Sequence, residues 1–368
     1  MLEGGISEKN VSFYVSAMQM VQVIVMLLMS GRVEKTKNTI KATSLSMIFQ
    51  LFLPLALLIF SISENNNPAI VFSVIFLLGA VANVSQGIYN VLAYKLPYHI
   101  FDIKDYGKVL GTSGIFVFII GTLVSFTLSY TTENAPYFKV MQVFFLLAFS
   151  ALILSGITVG SYKDLFKPEN KEKHTEKGNI LLYKPFYILI IPNLLRGFCA
   201  GVFGVAAVIG FNCNVFDGAY SNTLLLLGQG GTLLGYFGYL AAVKKYNDGS
   251  IILTASLLSA VLFPFMLFER SVLVFSVIYF ILNFIFNFIN TGVPVAVTKF
   301  VPYEFIGRYS ALRMLTHTLG VALGGSAAVF MVEAIGGNMT LALSGICQLI
   351  SGIAYFVVLK KYSIENEN

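Results

Sequence analysis

"ANVSQGIYNVLAYKLPYHIFDIKDYGKVLG" (residues 82–111) and "LNFIFNFINTGVPVAVTKFVPYEFIGRYSA" (residues 282–311) carry the same polar residues in the same register. In each stretch a helical segment with asparagines on one face is followed by a loop of equal length, and then by a glycine and a basic residue that open the next segment. The matching residues, each 200 positions apart, are Asn83 and Asn283, Asn90 and Asn290, Gly107 and Gly307, and Lys108 and Arg308. Four matches in one frame predict an internal repeat, so we expect two related halves.

The composition places both halves in a membrane. Of the 368 residues, 57% are hydrophobic and 11% are charged, against about 25% charged residues in an average soluble domain. A helix of about 20 apolar residues crosses the roughly 30 Å hydrocarbon core of a bilayer. The sequence holds eleven stretches of this kind, at residues 11–30, 42–62, 70–92, 110–131, 138–161, 185–211, 220–243, 251–268, 271–297, 314–332 and 340–359.

These stretches are continuous rather than alternating, which is typical of membrane helices and not of the strands of an outer-membrane barrel. The predicted fold class is therefore all-α. We expect a polytopic helical membrane protein with eleven transmembrane helices in two pseudo-symmetric bundles, five helices in the first and six in the second.

Basic residues indicate the orientation of these helices. Twenty of the 24 Lys and Arg residues fall in one alternating set of connections, whereas Lys9, Lys139 and Arg270 fall in the opposite set. Cytoplasmic loops carry the excess of basic residues, so we predict a protein of the cell membrane with an outer N-terminus and a cytoplasmic C-terminus. The net charge of +6 follows from this topology. No basic face is interleaved with aromatic residues outside the membrane, and we expect no nucleic-acid partner.

One connection is much longer than the others and predicts the boundary between the halves. It runs from residue 162 to residue 184, mixes Lys with Glu, and has little apolar content, as a solvated linker does. We therefore predict an N-terminal bundle at 1–161, a cytoplasmic linker at 162–184 and a C-terminal bundle at 185–368. Because the third span matches the ninth, the first corresponds to the seventh, and the sixth has no counterpart.

Several loop motifs add to this pattern. The stretch at 3–22, "EGGISEKNVSFYVSAMQMVQ", contains a Gly-x-Ser turn that leads into the membrane. The loop "SGRVEKTKN" (30–38) is similar to a signature of Gly, three residues, Asp-Arg, one residue and Gly-basic, although Ser30, Glu34-Lys35 and Lys37 replace its first Gly, Asp-Arg and second Gly. The stretch at 301–314, "VPYEFIGRYSALRM", resembles a Pro-x-Glu-x-x-Gly-Arg turn. In this order along essentially the whole chain, the motifs resemble the major facilitator superfamily.

The resemblance implies two halves of six helices joined by a long cytoplasmic loop. Residues 1–161 would hold family helices two to six and residues 185–368 helices seven to twelve, so that family helix one has no counterpart here. It also implies alternating-access transport of a small-molecule substrate in a lipid bilayer, with a cavity lined by the spans 70–92, 185–211 and 271–297. We expect a monomer.

The loop motifs also imply residues that gate the cytoplasmic side. Glu304 and Arg308 are four residues apart, as the two members of a gate pair would be, and an ordinary surface ion pair is an equally good interpretation. The predicted gating residues are Glu34, Lys35, Gly107, Lys108, Glu304, Gly307 and Arg308.

A single cation interrupts the sixth span. Arg196, in "PNLLRGFCAG" (192–201), lies about 18 Å along a helix from Lys184, which is near the middle of the hydrocarbon core. Facing lipid would cost about 3 kcal/mol, so we expect the side chain to face a water-filled cavity and to bind an anionic group of the substrate. The alternative is that Arg196 packs, or extends to water, at the cytoplasmic mouth.

Amide side chains form two stripes at spacings of three, four and seven residues. Such side chains either bond another helix or line an aqueous path, and two symmetric stripes favour the path. The stripe residues are Asn83, Gln86 and Asn90 in the third span, and Asn283, Asn287 and Asn290 in the ninth. Gln19, Gln22, Gln229 and His317 are further candidates for substrate binding. His317 could couple protons to transport or be a plain hydrogen-bonded histidine.

Groups for enzymatic or metal chemistry are scattered. The three histidines, His99, His174 and His317, lie in separate regions, and the three cysteines form no CxxC or Cys/His pattern. We expect no metal, no cofactor and no enzymatic activity. The sequence predicts a secondary active transporter of a small solute, with an anion favoured by Arg196. A non-transporting membrane partner or sensor, or a degenerate truncated transporter, is the alternative.

Overall fold

Every regular element in the described part of the chain is a helix. The computed structural model describes residues 8–30, 32, 38–62, 68–93, 103–134, 137–161, 184–216, 220–301 and 305–362. The α-helices in these ranges are α1 (Glu8–Ser30), α2 (Thr39–Phe49), α3 (Phe52–Ile62), α4 (Pro68–Ala93), α5 (Ile103–Asn134), α6 (Tyr137–Ser161), α7 (Lys184–Gly204), α8 (Ala206–Asn212), α9 (Ser221–Ala242), α10 (Asp248–Leu262), α11 (Val272–Phe300), α12 (Ile306–Ile335) and α13 (Gly337–Tyr362).

Each predicted span coincides with one helix or with two consecutive helices. The second span is α2 with α3, the sixth is α7 with α8, and the eighth is α10 followed by two 3₁₀ turns, Phe263–Phe265 and Phe268–Arg270. Among the described residues, eight segments are long and apolar enough to cross a membrane, and Ala17–Ser30 and Lys108–Val124 are shorter apolar helices. The all-helical, polytopic class is confirmed, and the predicted count of eleven is consistent with it.

A proline explains why the second span is not one straight helix. Pro54 has no backbone N–H, so the carbonyl of Gln50 cannot receive the helical bond from the residue four positions later. The carbonyl of Gln50 instead accepts from the Leu53 N–H at 3.3 Å, and the Gln50 and Leu51 N–H groups bond three residues back. The turn at Gln50 and Leu51 therefore separates α2 from α3. By contrast, α7 continues through Pro192.

Contacts between Cα atoms group the chain into two compact units. Unit 1 consists of Met1–Ile100, Tyr130–Gly178 and Gly307–Leu315. In it, α1 packs on α4, while α2 and α3 both pack on α4 and α6. The start of α12 joins this unit through Ala311, which lies in a buried cluster with Met26 of α1 and with Val91 and Leu92 of α4.

Unit 2 consists of Phe101–Ser129, Asn179–Ile306 and Thr316–Asn368. Here α9 packs on α11, and α13 packs on α7 and α10. Its core is rich in aromatic rings, and Phe203 of α7 stacks on Phe286 of α11 with ring centroids 4.9 Å apart. The predicted division into 1–161, 162–184 and 185–368 stays a prediction.

The two predicted halves repeat local details. The side chain of Asn38 accepts a hydrogen bond from the Lys41 N–H at the start of α2, and Asn247 accepts one from the Ser250 N–H at the start of α10. Both are N-cap bonds with the same three-residue spacing. The repeat inferred from the sequence therefore extends to the way in which corresponding helices begin.

Glycines let α7 and α12 approach closely within unit 2. A Cβ on Gly197 would meet the backbone carbonyl of His317 and would lie 3.0 Å from the Cα of Gly320. Because these neighbours are backbone atoms, they cannot rotate away as a flexible side chain could. Glycine is therefore required at residue 197 by the space available and not by its backbone angles.

We predict that Gly197→Ala destabilises the protein by about 1–3 kcal/mol, as overpacking of a close contact does. Gly204→Ala is the matched control, because it lies in the same helix and a Cβ there would meet nothing within 4 Å. Thermal unfolding in detergent, followed by circular dichroism, measures both variants. Equal melting temperatures for the two variants would contradict the close α7–α12 contact.

Candidate functional site

Unit 1 contains a cavity lined by amide side chains, which we call the amide cavity. It has a volume of about 580 Å³ and lies among α1, α3, α4, α6 and the turn that follows α2. Its lining residues are Gln22, Gln50, Leu53, Pro54, Leu57, Ala82, Asn83, Gln86, Asn90, Phe145, Ala148 and Leu152. None of these lining residues is charged, and five of them carry amides. The cavity can therefore form hydrogen bonds without placing an ionised side chain against its contents.

Two amide pairs order the polar wall of the cavity. The Gln22 Nε2 donates to the Asn83 Oδ1 at 2.8 Å across α1 and α4. Within α4, the Gln86 Nε2 donates to the Asn90 Oδ1 at 2.9 Å. Each amide has two N–H donors and a carbonyl acceptor, so each pair keeps hydrogen-bonding capacity beyond its mutual bond. The wall is thus fixed in position and still able to bond a polar molecule.

The structure brings together four predicted residues, Gln22, Asn83, Gln86 and Asn90, and adds Gln50, which the sequence analysis missed. Gln50 follows the last residue of α2, in the turn enforced by Pro54. Treating residues 42–62 as one straight helix hid this position. Pro54 was the available signal, because a proline removes the helical bond to the carbonyl four residues before it, which is that of Gln50. Gln19, also in α1, is half-buried and is not part of the cavity lining.

The cavity borders a helix with little packing. Only 6% of the apolar stretch of α6 is buried inside the protein. For α13, which is the corresponding last helix of the second predicted half, the buried share of the apolar stretch is 44%. In unit 2, α13 packs on α7, the helix to which the sequence assigns no counterpart. In the described part of unit 1, α6 packs on α2 and α3. The predicted repeat thus gives α13 a packing partner, α7, that has no equivalent beside α6.

One member of the second predicted amide stripe bonds a neighbouring helix in unit 2, and the predicted role of the stripe in substrate binding stays a prediction. Asn287 is buried and donates to the backbone carbonyl of Thr232 in α9 at 3.0 Å. Asn283 donates to the carbonyl of Tyr279 in its own helix at 2.8 Å. Asn290, the third member, is exposed. Gln229 of α9 is half-buried, and its Oε1 lies 4.0 Å from the position that a Cβ on Gly121 of α5 would occupy.

Arg196 is buried inside unit 2 with 4% of its surface exposed. Residues three positions before and after it bond to α13. The Tyr355 hydroxyl donates to the Asn193 Oδ1 at 2.6 Å, and the Ser344 hydroxyl donates to the Cys199 carbonyl at 3.4 Å. Because Asn193 and Cys199 flank Arg196 on the same side of α7, helical periodicity directs Arg196 towards α13.

The part of α13 that Arg196 faces is polar. Gln348 and Ser351 lie between Ser344 and Tyr355 and are both buried. The Gln348 Nε2 donates to the Ser256 hydroxyl of α10 at 3.2 Å. Arg196 thus lies in a polar seam between α7 and α13, shielded from lipid. His317, on α12, is half-buried, and its backbone carbonyl approaches Gly197.

Four of the seven predicted gating residues lie in the described part of the chain. Glu34, Lys35 and Glu304 lie outside the described residues. Gly107 and Gly307 lie in α5 and α12. Lys108 is exposed and Arg308 is half-buried. Their gating roles stay predictions.

A buried ion pair in unit 2 was missed from the sequence. The Asp248 Oδ2 lies 3.1 Å from the Lys299 Nζ, and the Tyr239 hydroxyl donates to the Asp248 Oδ1 at 3.3 Å. Asp248 is 2% exposed. It begins α10, where a carboxylate also interacts favourably with the helix dipole. These contacts join α9, α10 and α11. Asp248 and Lys299 are far apart in sequence, so spacing gave no signal for the ion pair.

Comparison with known proteins places this architecture. A family model described as Major Facilitator Superfamily matches residues 2–325. The chain belongs to the major facilitator superfamily. As a member of this superfamily it is a multi-pass membrane protein of a transporter family. No curated protein is a significant match to it.

Solved structures of other superfamily transporters have the same fold. A bacterial homologue of the iron transporter ferroportin, in an outward-facing state, has a TM-score of 0.72 at 13% identity, covering 96% of this chain and 90% of its own. The human organic anion transporter MFSD10 has a TM-score of 0.71 at 12% identity, covering 94% of this chain and 83% of its own. The proton:xylose symporter XylE has a TM-score of 0.70 at 12% identity, covering 98% of this chain and 88% of its own. At these identities the likeness shows the fold alone.

We predict unequal effects when the buried ion pair is broken. Lys299→Met leaves Asp248 buried without its cation, whereas Asp248→Asn leaves Lys299, whose side chain is 29% exposed, in contact with water. We expect Lys299→Met to cost about 3 kcal/mol or more and Asp248→Asn less. The double variant should be more stable than the sum of the single effects implies, because it leaves no unpaired charge. Additive losses in chemical unfolding would show that the pair is not coupled.

Proposed function

We propose that the chain is a secondary active transporter that moves a small polar solute across the cell membrane by alternating access. The amide cavity of unit 1 carries this proposal. Its volume of about 580 Å³ is within the range of about 300–1,000 Å³ that small-molecule sites have. Its amides supply both donors and acceptors, as a site for a polar solute requires. The proposed orientation, with a cytoplasmic C-terminus, rests on the alternating distribution of Lys and Arg.

Glycine-mediated helix contacts support alternating access. Within unit 2, a Cβ on Gly111 of α5 would lie 2.8 Å from the Leu240 Cγ, and one on Gly114 would meet the ring of Tyr236. Leu240 and Tyr236 both belong to α9. At each glycine a side chain of α9 packs directly on the α5 backbone, with no Cβ in between, so the contact needs no interlocking of two side chains and can be remade when the helices shift. Such contacts suit a protein that changes between two arrangements.

Arg196 supports an anionic solute as the finer part of the proposal. A guanidinium keeps its positive charge at all physiological pH values and binds carboxylates in a bidentate manner. Burial in a membrane-spanning segment is costly for such a group, so its presence calls for a function. One structural neighbour is named as an organic anion transporter, while others are named for iron and xylose. The fold is thus used for several cargoes.

A second function has one specific observation in its favour. Only 6% of the apolar stretch of α6 is buried, against 44% of that of α13. An uncovered apolar helix suits a chain that packs on another membrane protein, as a partner or sensor, and does not transport. A ligand that raises the melting temperature of the purified protein, but does not cross proteoliposomes containing it, would favour this candidate. Uptake of the same ligand above that of empty liposomes would exclude it.

We predict that Gln86→Leu lowers solute uptake about tenfold, because the solute then loses one hydrogen bond in a largely apolar setting. The solute is first chosen by a thermal-stability screen of sugars, organic anions and organic cations. Gln142→Leu is the matched control: it removes an amide of unit 1 that bonds the Ser61 carbonyl at 2.8 Å and does not line the cavity. Similar losses of uptake in both variants, at equal amounts of folded protein, would contradict a role for the amide cavity.

We further predict that Arg196→Gln weakens the binding of anionic solutes about tenfold or more and changes the binding of neutral solutes little. Arg196→Lys keeps the charge but loses the bidentate geometry, so its effect should be smaller. Binding is measured by the stability shift of each purified variant. Equal losses for anionic and neutral solutes, together with a lower melting temperature without ligand, would assign Arg196 to packing of the α7–α13 seam.

A further inference from the structure

An apolar groove opens on the surface of unit 2, between α9, α10 and α11. Its volume is about 440 Å³. Its lining includes the apolar residues Leu258, Phe284 and Phe288, and three residues that carry hydroxyls, Tyr246, Ser250 and Thr254. Tyr246, Thr254 and Leu258 are exposed, so the groove is reached from the protein surface. We call it the α9–α11 groove.

The hydroxyls of the groove cluster at one end of its helices. Tyr246 follows α9, and Ser250 and Thr254 lie in the first two turns of α10. Leu258 lies further along α10, and Phe284 and Phe288 lie in the middle of the 29-residue helix α11. The groove is thus polar near the membrane surface and apolar towards the hydrocarbon core. This order of chemistry matches a phospholipid, from its ester region to its acyl chain.

Two lysines stand at the polar end. Lys244 and Lys245 are exposed and lie in the turn that joins the lining residues Ala242 and Tyr246, where the Lys245 and Tyr246 N–H groups bond the Ala242 carbonyl. The acid closest to them in the sequence, Asp248, is turned inward and paired with Lys299. The charge at the polar end of the groove is therefore positive and not offset by this neighbour.

We propose that the α9–α11 groove binds one anionic phospholipid, with an acyl chain along Leu258, Phe284 and Phe288 and its phosphate at Lys244 and Lys245. Charge complementarity selects an anionic headgroup over a zwitterionic one, because basic residues next to membrane helices attract anionic lipids. The predicted orientation puts this lipid in the cytoplasmic leaflet, whose surface is negative. The site is independent of the transported solute.

The test compares phosphatidylglycerol with phosphatidylcholine of the same acyl chains, each added to the delipidated full chain in detergent. Native mass spectrometry measures the retained lipid, and thermal unfolding measures the stabilisation. We expect phosphatidylglycerol to be retained at least about tenfold more strongly, since each lysine near an anionic headgroup contributes enough for about a fivefold change. Equal retention of the two lipids would overturn the proposal.

Two variants separate this site from general attraction to basic residues. Lys244→Gln with Lys245→Gln should reduce phosphatidylglycerol retention to the level of phosphatidylcholine. Lys360→Gln with Lys361→Gln is the matched control, because these lysines are also exposed but lie at the end of α13, a helix that contributes no residue to the groove lining. This control should retain the lipid. Equal losses in both double variants would indicate non-specific attraction and would overturn the proposal.

A third variant tests the groove itself without changing charge. Thr254→Phe places a ring in the groove at an exposed position, so it fills the volume without disturbing the core. We expect it to lower phosphatidylglycerol retention about as much as removal of both lysines, with an unchanged melting temperature in the absence of lipid. Undiminished retention in Thr254→Phe would show that the acyl chain does not occupy the groove.

Discussion

The constraint on which this structure depends is that lipid offers no hydrogen-bond partners. Backbone groups in the membrane must bond within their own helices, and polar side chains must then find one another or a cavity. Two hydroxyl side chains between helices follow this rule. The Ser44 hydroxyl of α2 donates to the Gly156 carbonyl of α6 at 2.6 Å, and the Tyr355 hydroxyl bonds Asn193 across α13 and α7. Each such bond fixes how two helices are rotated relative to each other.

Glycine supplies the other half of helix packing. Without a hydrophobic driving force between helices in lipid, close van der Waals contact is a main source of helix association. In unit 2, α7 meets α12 at Gly197 and Gly320, and α9 meets α11 at Gly231, where a Cβ would lie 3.1 Å from the Asn283 Cβ. Polar bonds set the rotation of these helices, and glycines set their distance. The aromatic core around Phe203 and Phe286 fills the space that remains.

Much of the fold was predictable because the membrane enforces a simple rule on length and apolarity. Continuous apolar stretches identified the helical spans, and the register of Asn83 with Asn283 predicted the repeat. The break at Gln50 was missed because hydropathy does not register what Pro54 does to the backbone. The direction in which the Arg196 side chain points could not be predicted either, because it depends on which helix lies beside α7. The pair of Asp248 and Lys299 depends in the same way on tertiary contact between three helices.

The candidate site was predictable only in part, and one difference in side-chain size explains why. Both predicted halves carry an amide stripe, and among the described residues that of unit 1 lines the amide cavity, whereas that of unit 2 does not line the α9–α11 groove. In unit 2 the partner of Asn283 on α9 is Gly231, so the helices come close and Asn287 reaches the Thr232 backbone. In unit 1 the partner of Asn83 on α1 is Gln22, which meets it side chain to side chain. A glutamine in place of a glycine keeps the bonding between side chains and leaves amide groups available to a ligand. The symmetry of the stripes is therefore a property of the predicted repeat, and what each stripe bonds depends on the helix that it faces.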